Sequence, residues 1–489
     1  MPDVGAGTLW AEFRARTGEL RDRVAVTGPR GELTFAELWT AADAMAVALR
    51  SAGVPEGARV GLALPSSPRF VTAFLALCRL DACIVLIPAQ YRSAELDAVA
   101  RGLALSVVVS DADLAPGIAD VLPGARTSSV DGLEVVAASA GDEPTPEPAA
   151  LLKLSSGSTA QPKCIVLTAD NVLAEAENVT ATLELGPGDR VAAGVPLSHS
   201  YGFDLGVLPA LHAGCTLEVD DVFVPRRTLA ALAEGAPTAY LGVPAGYRAL
   251  LGAHVPDPPD LSGVRWLLSC TAPLPAHVVT AFAERFGAPI CQHYGTSETG
   301  AATNHVPSAV LERPDSVGRP MQGVHVSVVS TDGAELPPGD EGEVVVRSDA
   351  VAHGYALGAP VGPSPFRSEG FWTGDLGRLD EEGFLTVLGR RDAVINVGGF
   401  KVSPEEVAAT LERHPAVREA AVLGIETGTG ERAVCAAVEL ESPVEEAELI
   451  AFCGRALAEY KVPRRVAVLD ALPRTGSGKV RLRPEDLPT

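Results

Sequence analysis

Segments with helical apolar periodicity alternate with short runs rich in β-branched residues over residues 9–130. The helical pattern is clearest at 38–49, and strand-like runs occur at 60–64 and 84–87. Such alternation favours βαβ units, because a helix commonly connects two strands that run in the same direction. The same alternating pattern returns over residues 151–306. We therefore predict an α/β fold with two doubly wound subdomains.

The sequence pattern changes over residues 316–387, where short strand-like runs are separated by turns that contain Gly, Pro and Asp. This spacing favours an antiparallel sheet or a small β-barrel. After Asp392 the remaining residues have the pattern of a compact α+β lobe. We predict a large N-terminal domain at residues 1–391, which holds both α/β subdomains and the small β-barrel, and a small α+β C-terminal domain at residues 392–489.

The charge balance excludes one large class of function. The 489 residues include 62 acidic and 39 basic residues, a formal net charge of −23. Nucleic-acid binding needs a surface rich in Lys and Arg, so we expect no nucleic-acid partner. No apolar run reaches the roughly 18 residues of a membrane span, and no leader pattern is visible. With eight scattered cysteines and no CxxC pair, we expect a cytoplasmic protein with free thiols.

The strongest local motif follows the apolar run 151–154 and reads SSGSTAQPK over residues 155–163. A strand that enters a turn of small hydroxylated residues lets backbone N–H groups and hydroxyls surround an anion. The lysine adds a positive charge and is notable because the chain has only five lysines. We predict that an anion is bound by Ser155, Ser156, Gly157, Ser158, Thr159 and Lys163.

Further motifs follow in order: QHYGTSETG at 292–300, FWTGDLG at 371–377, GRRD at 389–392, GGFKV at 398–402 and PRTGSGK at 473–479. In this order and spacing they resemble the motifs of the adenylate-forming enzymes, a superfamily of acyl- and aryl-CoA synthetases, peptide-synthetase adenylation domains and firefly luciferase. The resemblance covers nearly the whole chain. It implies that a carboxylate attacks the α-phosphorus of ATP to give an acyl-adenylate and pyrophosphate. A thiol then takes the acyl group.

The resemblance also implies roles at the nucleotide site, where the loop 155–163 would hold the departing β- and γ-phosphates. Glu298 would hold Mg²⁺, a cation that prefers oxygen ligands, and Thr296 would hydrogen-bond the α-phosphate. Tyr294 would stack on adenine, while Asp375 and Arg390 would hold the ribose hydroxyls. The other residues predicted to bind ATP or AMP are Thr271, Ala272, Pro273, His293 and Gly295.

The C-terminal motifs imply movement between the two steps. Lys479 would neutralise the charge that develops between the carboxylate and the α-phosphate. Asp392 matches the family's hinge, about which the C-terminal domain rotates after adenylation, so this domain is expected to be mobile. The rotation would bring in a glycine loop that lines the thiol tunnel, formed by Gly398, Gly399, Phe400 and Lys401.

The motif PLSHSYG at 196–202 resembles the acyl-CoA synthetase version, in which the histidine closes the acid pocket against the thiol tunnel. We predict His199, with Lys479, Thr296 and Glu298, as the catalytic residues. The acid pocket is predicted to include His199, Asp204, Gly242, Cys270 and His293.

The chain departs from the family pattern in the phosphate loop and in the predicted acid pocket. Ala160 stands where the phosphate loop usually has Gly. Cys270 and Thr271 are bulkier than the small residues usual at their positions, and His293 often corresponds to Gly in aryl-CoA synthetases. The bulk at 270, 271 and 293 predicts a shortened pocket. Polar groups at Asp204, Thr271 and His293 could face a hydroxyl or amine on the acid, so we expect the substrate to be a small aromatic or hydroxylated acid.

Other activities remain compatible with these motifs. The leading prediction is an ATP- and Mg²⁺-dependent ligase that uses coenzyme A. A stand-alone adenylation enzyme could instead load a carrier-protein phosphopantetheine or an amine. A non-catalytic nucleotide-binding homologue is a third possibility, against which the retention of Lys479, Glu298 and Asp375 argues. The identity of the acid and the oligomeric state stay open.

Overall fold

The structure, a computed structural model, describes residues 5–29, 31–122, 124–138, 149–155, 163–220, 222–359, 363–397, 400–426, 432–474 and 480–487.

The N-terminal part of the chain alternates helices and strands. In chain order these are α1 (Ala6–Thr17), β1 (Val24–Gly28), β2 (Gly31–Thr34), α2 (Phe35–Ser51), β3 (Arg59–Ala63), α3 (Pro68–Arg79), β4 (Cys83–Leu86), α4 (Ser93–Gly102), β5 (Val107–Ser110), α5 (Ala115–Val121), β6 (Arg126–Val130) and β7 (Leu133–Ala137).

The middle of the chain continues this alternation. Its elements are β8 (Leu151–Ser155), β9 (Lys163–Leu167), α6 (Ala169–Leu183), β10 (Arg190–Ala193), α7 (Ser200–Gly202), a π-helical turn (Phe203–Val207), α8 (Leu208–Ala213), β11 (Thr216–Val219), α9 (Pro225–Gly235), β12 (Ala239–Gly242), α10 (Pro244–Leu251), β13 (Trp266–Ser269), α11 (Ala276–Phe286), β14 (Ile290–Thr296) and β15 (Gly300–Asn304).

Strands dominate the next part, and a mixed α/β lobe ends the chain. The elements are β16 (Arg319–Pro320), β17 (His325–Val329), β18 (Gly342–Arg347), β19 (Gly354–Leu357), β20 (Phe366–Arg367), β21 (Gly370–Leu379), β22 (Leu385–Arg390), β23 (Ile395–Val397), β24 (Phe400–Val402), α12 (Pro404–Glu412), β25 (Val417–Glu426), β26 (Arg432–Leu440), α13 (Glu446–Ala456) and β27 (Arg465–Val468). Short 3-10 turns occur at Pro307–Ala309, Glu459–Lys461 and Pro484–Asp486.

Two large sheets with parallel centres confirm the α/β prediction. The nine-stranded sheet has the order β16-β15-β14-β13-β12-β10-β11-β1-β2, and the eight-stranded sheet has the order β19-β9-β8-β4-β3-β5-β7-β6. Their membership differs from the division along the sequence. β1 and β2 join the sheet built mainly from later strands, whereas β8 and β9 join the earlier one. Local periodicity specifies a strand but not its partner, which tertiary packing selects.

Helices lie between the two sheets and join them into one core. α3 and α6 each contact strands of both sheets. Residues 70–78 of α3 are all buried, and Phe74 meets Phe203 of the π-helical turn edge-on, with ring centroids 5.0 Å apart. Apolar side chains from both sheets belong to one continuous buried cluster. This interior supports the site described below.

Hydrogen bonds between neighbouring side chains define the start of α6. The Thr168 hydroxyl accepts the Asn171 N–H at 3.1 Å, and the Asn171 side chain accepts the Thr168 N–H at 3.0 Å. This reciprocal cap satisfies two backbone donors that the first helical turn leaves unpaired. Asn171 also donates to the Asp349 carbonyl at 2.7 Å, which ties the helix start to the segment before β19.

The remaining sheets are small. β17, β18, β20, β21 and β22 form a five-stranded antiparallel sheet, and its ladder among the described residues is open rather than closed as a barrel. The C-terminal lobe packs α12 and α13 around β25, β26 and β27, with a separate apolar core, which confirms the small α+β unit. The predicted boundary at 391–392 falls between β22 and β23.

Two further sequence expectations can be compared with the structure. No helix within the described ranges is long and apolar enough to cross a membrane. All eight cysteines are free thiols, and all except Cys270 are buried.

Candidate active site

The candidate site lies where four parallel strands of the nine-stranded sheet end. β10, β12, β13 and β14 are neighbours, and the register places Gly242 beside Ser269 and Ser269 beside Gln292. Cys270 and His293 come directly after these paired residues. In open α/β sheets the carboxyl edge of the strands is the usual place for ligands. The sheet therefore brings together the predicted pocket residues Gly242, Cys270 and His293.

The end of the predicted phosphate loop faces a carboxylate. Lys163 begins β9 and pairs with Ser155 at the end of β8. Its ammonium lies 4.0 Å from Oε1 of Glu298 and 5.7 Å from the ring centroid of Tyr355. The Tyr355 hydroxyl donates to the same Oε1 at 2.9 Å. The predicted residues Ser156, Gly157, Ser158 and Thr159 lie outside the described residues.

Tyr355 is a candidate site residue that was not predicted from the sequence. It lies on β19, which pairs with β9 so that Tyr355 is opposite Ile165. This pairing joins segments almost 200 residues apart in the chain. Because no local motif marks the position, only the sheet register reveals its proximity to Lys163.

A tight turn orients Glu298. The Thr296 hydroxyl accepts the N–H groups of Glu298 and Thr299 at 3.3 and 3.1 Å, and the Thr299 hydroxyl accepts the Thr296 N–H at 2.9 Å. The Glu298 carbonyl accepts the Ala352 N–H at 2.8 Å. Side-chain hydroxyls that bond nearby backbone groups stabilise turns of this kind. The turn thus holds the Glu298 carboxylate, which is almost fully buried, on the side of Lys163.

Asp375 is the centre of a second polar group. The Tyr294 hydroxyl donates to Oδ2 of Asp375 at 2.7 Å, and Nη1 of Arg390 donates to Oδ1 at 3.3 Å. Arg390 also donates to the Thr373 carbonyl at 2.9 Å. Burial raises the pKa of Tyr294 well above its ordinary value, so the phenol keeps its proton. A carboxylate has about four acceptor positions, so Asp375 can also accept from a diol.

The loop after β13 is strained at Thr271. This residue has φ of 80°, in the left-handed region that a β-branched side chain rarely adopts. It precedes Ala272 and Pro273, two other residues predicted to bind the nucleotide. Strained backbone of this kind is concentrated at ligand sites. The strain is consistent with a loop shaped for a ligand.

His199 is held as a neutral imidazole. Its Nδ1 accepts the Tyr201 N–H at 3.3 Å and so caps α7. Burial, and then the nearby Lys153 ammonium, lower the pKa of His199 to about 4. The adjacent Ser200 hydroxyl donates to the Ser297 hydroxyl at 2.9 Å, which links the His199 motif to the Glu298 turn. A neutral histidine at this position can donate or accept a hydrogen bond without carrying charge.

His293 is also buried and neutral. Its ring stacks on that of Tyr201, with centroids 6.0 Å apart and an interplanar angle of 20°. Burial lowers the pKa of His293 to about 4, from the ordinary value of 6.5. Protons therefore bind the unfolded chain more readily than the folded one. The stability that this difference contributes is complete above pH 6.5 and is lost as the pH falls towards 4.

Replacing His293 with Asn should therefore reduce the sensitivity of the fold to acid. At pH 5 this single histidine accounts for about 2 kcal/mol of lost unfolding free energy. Urea unfolding at pH 7.5 and pH 5 should show a smaller acid-induced loss for His293→Asn than for the parent protein. Equal losses in the two proteins would contradict this expectation.

A buried charge cluster lies beneath the site. Lys153 on β8 donates to both Asp204 oxygens, at 2.6 and 2.7 Å, and each side chain is only 4% exposed. Glu175 on α6 accepts the Ala301 N–H at 2.8 Å. Burial and the Asp204 charge raise the pKa of Glu175 to about 8. The cluster connects the strand before the phosphate loop, the turn after His199 and the strand after Glu298.

Asp204 is one of the residues predicted for the acid pocket. In the structure both of its oxygens accept from Lys153 inside the protein. Its role in the pocket stays a prediction. Lys153 and Glu175 were not singled out as site residues. The one available signal was a rare lysine within the apolar run 151–154.

The C-terminal candidates are only partly described. Asp392, the predicted hinge, follows β22 and accepts Nε of Arg390 at 3.1 Å. Phe400 and Lys401 lie on β24, whose backbone pairs with β23. Gly398, Gly399 and Lys479 lie outside the described residues.

Comparison with known proteins identifies the family. The AMP-binding enzyme model matches residues 13–356, and the model of the AMP-binding enzyme C-terminal domain matches residues 406–479. The chain is 32% identical to a feruloyl-CoA synthase of Amycolatopsis sp, over 98% of each protein. It is 31% identical to an oxalate–CoA ligase of Arabidopsis thaliana, over 95% of this chain and 94% of that protein.

A solved structure agrees with these relatives. ATP-bound MatB from Rhodopseudomonas palustris overlays with a TM-score of 0.84 at 26% identity, covering 97% of both chains. Its apo form overlays less closely, with a TM-score of 0.75 at 27% identity, covering 98% of this chain and 97% of the other. The sheet architecture, the clustered motif residues and the matching models lead to one conclusion. The chain belongs to the AMP-binding enzyme family and is an AMP-forming acid–thiol ligase.

Proposed function

We propose that this protein converts a small aromatic or hydroxylated carboxylic acid into its coenzyme A thioester, with ATP as the energy source. One observation supports the nucleotide site above all. β14 and the turn after it present Tyr294 to Asp375 at one end and Glu298 to Lys163 at the other. An ATP molecule that follows this strand would have its nucleoside at the first pair and its phosphates at the second.

In the first step the acid carboxylate would attack the α-phosphorus and pyrophosphate would leave. Phosphoryl-type transfer needs aligned reactants and neutralised charge more than a protein nucleophile. Lys163 and the loop 155–163 would hold the departing phosphates, and Thr296 would hydrogen-bond the α-phosphate. Asp375 and Arg390 would hold the ribose.

Glu298 is the proposed Mg²⁺ ligand. Within the part of the chain that the structure describes, no three His, Cys, Asp or Glu side chains group as a metal site. Mg²⁺ is commonly held by one or two carboxylates together with substrate phosphates, so the single Glu298 carboxylate, which faces the end of the predicted phosphate loop, fits this cation. The bound cation would neutralise phosphate charge.

The second step would use the C-terminal lobe. We propose that Lys479 serves adenylation, that the lobe then turns about Asp392, and that Gly398, Gly399, Phe400 and Lys401 line the path of the coenzyme A thiol. His199 would separate the acid from this path. Its neutral state suits a boundary between a carboxylate and a thiol, because the imidazole favours neither by charge.

The positions of three tyrosine side chains favour a short acid pocket. A Cβ placed on Gly242 would lie 2.7 Å from the Tyr247 ring and 3.0 Å from the Tyr240 ring. The hydroxyls of Tyr201 and Tyr247 both donate to the Leu268 carbonyl, at 3.0 and 2.9 Å, which holds these rings in place. The space beside the end of β12 is therefore already filled. A compact acid suits this pocket better than a long acyl chain.

The test is acid-dependent ATP–pyrophosphate exchange over a panel of aromatic, hydroxylated, dicarboxylic and fatty acids. We expect the highest kcat/KM with a small aromatic or hydroxylated acid. A preference for acyl chains of about twelve carbons or more would contradict the short pocket. In a long apolar pocket, each additional CH₂ group that is buried would contribute about 0.8 kcal/mol to binding.

The acceptor is tested separately. The adenylate of the preferred acid is incubated with coenzyme A, with holo-carrier protein or with amines, and the products are measured by mass. A coenzyme A thioester is expected. Transfer only to the carrier protein or to an amine would show that this compound, and not coenzyme A, is the acceptor. ATP binding without ATP–pyrophosphate exchange for any acid would show that the protein is non-catalytic.

A further inference from the structure

An arginine of the large domain forms ion pairs with two glutamates of the C-terminal lobe. Arg248 lies on α10, and its Nη1 donates to Oε1 of Glu419 at 3.0 Å. Its Nη2 donates to both carboxylate oxygens of Glu412, at 3.4 and 3.3 Å. The side chain of Arg248 is 17% exposed, that of Glu412 is 8% exposed and that of Glu419 is 12% exposed. Charged pairs shielded in this way interact more strongly than pairs in open solvent.

The contact continues towards the last motif. Glu419 also forms an ion pair, through Oε2, with Arg474, and Arg474 lies 3.5 Å from Oε1 of Glu439. The backbone of Arg474 pairs with that of Val480 in an antiparallel bridge. These two residues flank the segment 475–479, which contains Lys479. A chain of ion pairs therefore runs from α10 to the base of that segment.

The other end of the chain is fixed to the active-site edge. α10 begins at Pro244, two residues after Gly242 at the end of β12. Its Tyr247 side chain is fully buried and hydrogen-bonds the Leu268 carbonyl of β13. Arg248 is thus anchored to the same strands that form the proposed acid pocket.

We infer that Arg248 is a positioning residue for the adenylation step, acting through Glu419 and Arg474 on the segment that contains Lys479. The inference rests on the proposed function, in which Lys479 serves the first step. An ion-pair chain between two domains fits one relative placement of those domains. Once the lobe turns about Asp392, the pairs would separate, so Arg248 should matter little for thioester formation.

The better overlay on ATP-bound MatB than on its apo form agrees with this assignment. The TM-score is 0.84 for the ATP-bound form and 0.75 for the apo form.

The experiment compares Arg248→Met with the parent enzyme in each half-reaction. Adenylation is measured as ATP–pyrophosphate exchange with the preferred acid. Thioester formation is measured in a single turnover from the preformed acyl-adenylate and coenzyme A. We expect exchange to fall about 10- to 100-fold, as for the loss of one partner of a shielded charge pair, and thioester formation to stay within about twofold.

Arg418→Gln is the matched control. Arg418 is next to Glu419 in sequence, but its ion pair with Glu441 is exposed and lies within the lobe. Both half-reactions should keep the parent rates in this variant. Arg248→Lys retains the charge without the planar fork and should recover part of the exchange rate. Thermal unfolding of each variant shows that it is folded.

The outcomes separate this inference from the proposed function. Equal losses in both half-reactions of folded Arg248→Met, or unchanged exchange, would overturn the positioning role while leaving the ligase intact. A parent enzyme that shows no exchange with any acid would overturn the proposed function and the role of Arg248 with it.

Discussion

Replacing Lys479 with Arg is expected to lower acid-dependent ATP–pyrophosphate exchange by about 10²- to 10³-fold, the usual cost of removing one group that stabilises developing charge. We propose, as the family resemblance implies, that this lysine acts between the carboxylate and the α-phosphate. A compact ammonium on a flexible stem can follow an oxygen whose charge is changing. The planar guanidinium fork of Arg has the same charge but a different reach and shape.

The control for this prediction is Lys461→Arg. Lys461 lies in the same lobe and donates to both Glu406 oxygens at 2.7 Å, a pair that Arg can reproduce on the protein surface. This variant should keep the parent exchange rate. ATP affinity, measured by calorimetry, should be nearly unchanged in Lys479→Arg. A variant that retains exchange within a few fold of the parent would contradict the catalytic role.

Replacing Lys153 with Met is expected to lower the free energy of unfolding by about 3–5 kcal/mol, the typical cost of removing one partner of a buried ion pair. The Asp204 carboxylate would be left buried beside Glu175 with its partner gone. Burial of an unpaired charge is costly because the protein interior replaces little of the lost hydration. Urea unfolding at pH 7 measures the loss.

The double variant Lys153→Met/Asp204→Leu tests the cause. Removing both charges leaves neither member of the ion pair buried without its partner, and apolar residues of similar volume often restore stability. We expect it to be clearly more stable than Lys153→Met. Lys461→Met, which removes a surface ion pair, should cost less than about 1 kcal/mol. A single variant as stable as the parent, or a double variant as unstable as the single, would contradict this account.

Much of the fold follows from local patterns. The alternation of helical and strand-like runs predicted the α/β class, and the change of texture after residue 316 predicted the smaller β-rich part. These features depend on residues close together in the chain, whose periodicity reflects one buried face. The exchange of β1, β2, β8 and β9 between the sheets was not predicted, because hydrogen-bond partners are chosen by packing between distant segments.

The same distinction holds for the site. Motif order predicted Tyr294, Glu298 and Asp375 as site residues, and the structure places Tyr294 against Asp375. Tyr355 and Arg248 were not predicted, because each contacts a charged residue that is more than fifty positions away in the sequence. Asp204 had a plausible polar role in the sequence, but its actual partner Lys153 is visible only in the folded interior.

By itself, the sequence determined the secondary-structure class, the succession of motifs and the family resemblance, because each is encoded in residues that are neighbours or stand in a recognisable order. Only the tertiary structure decided which strands share a sheet, which charges are buried together and which ion pairs join the two domains. Those features depend on the distances between segments that are remote in the chain. Electrostatic and hydrogen-bond energies act over a few ångströms, so they are settled only when the fold has brought the partners into contact.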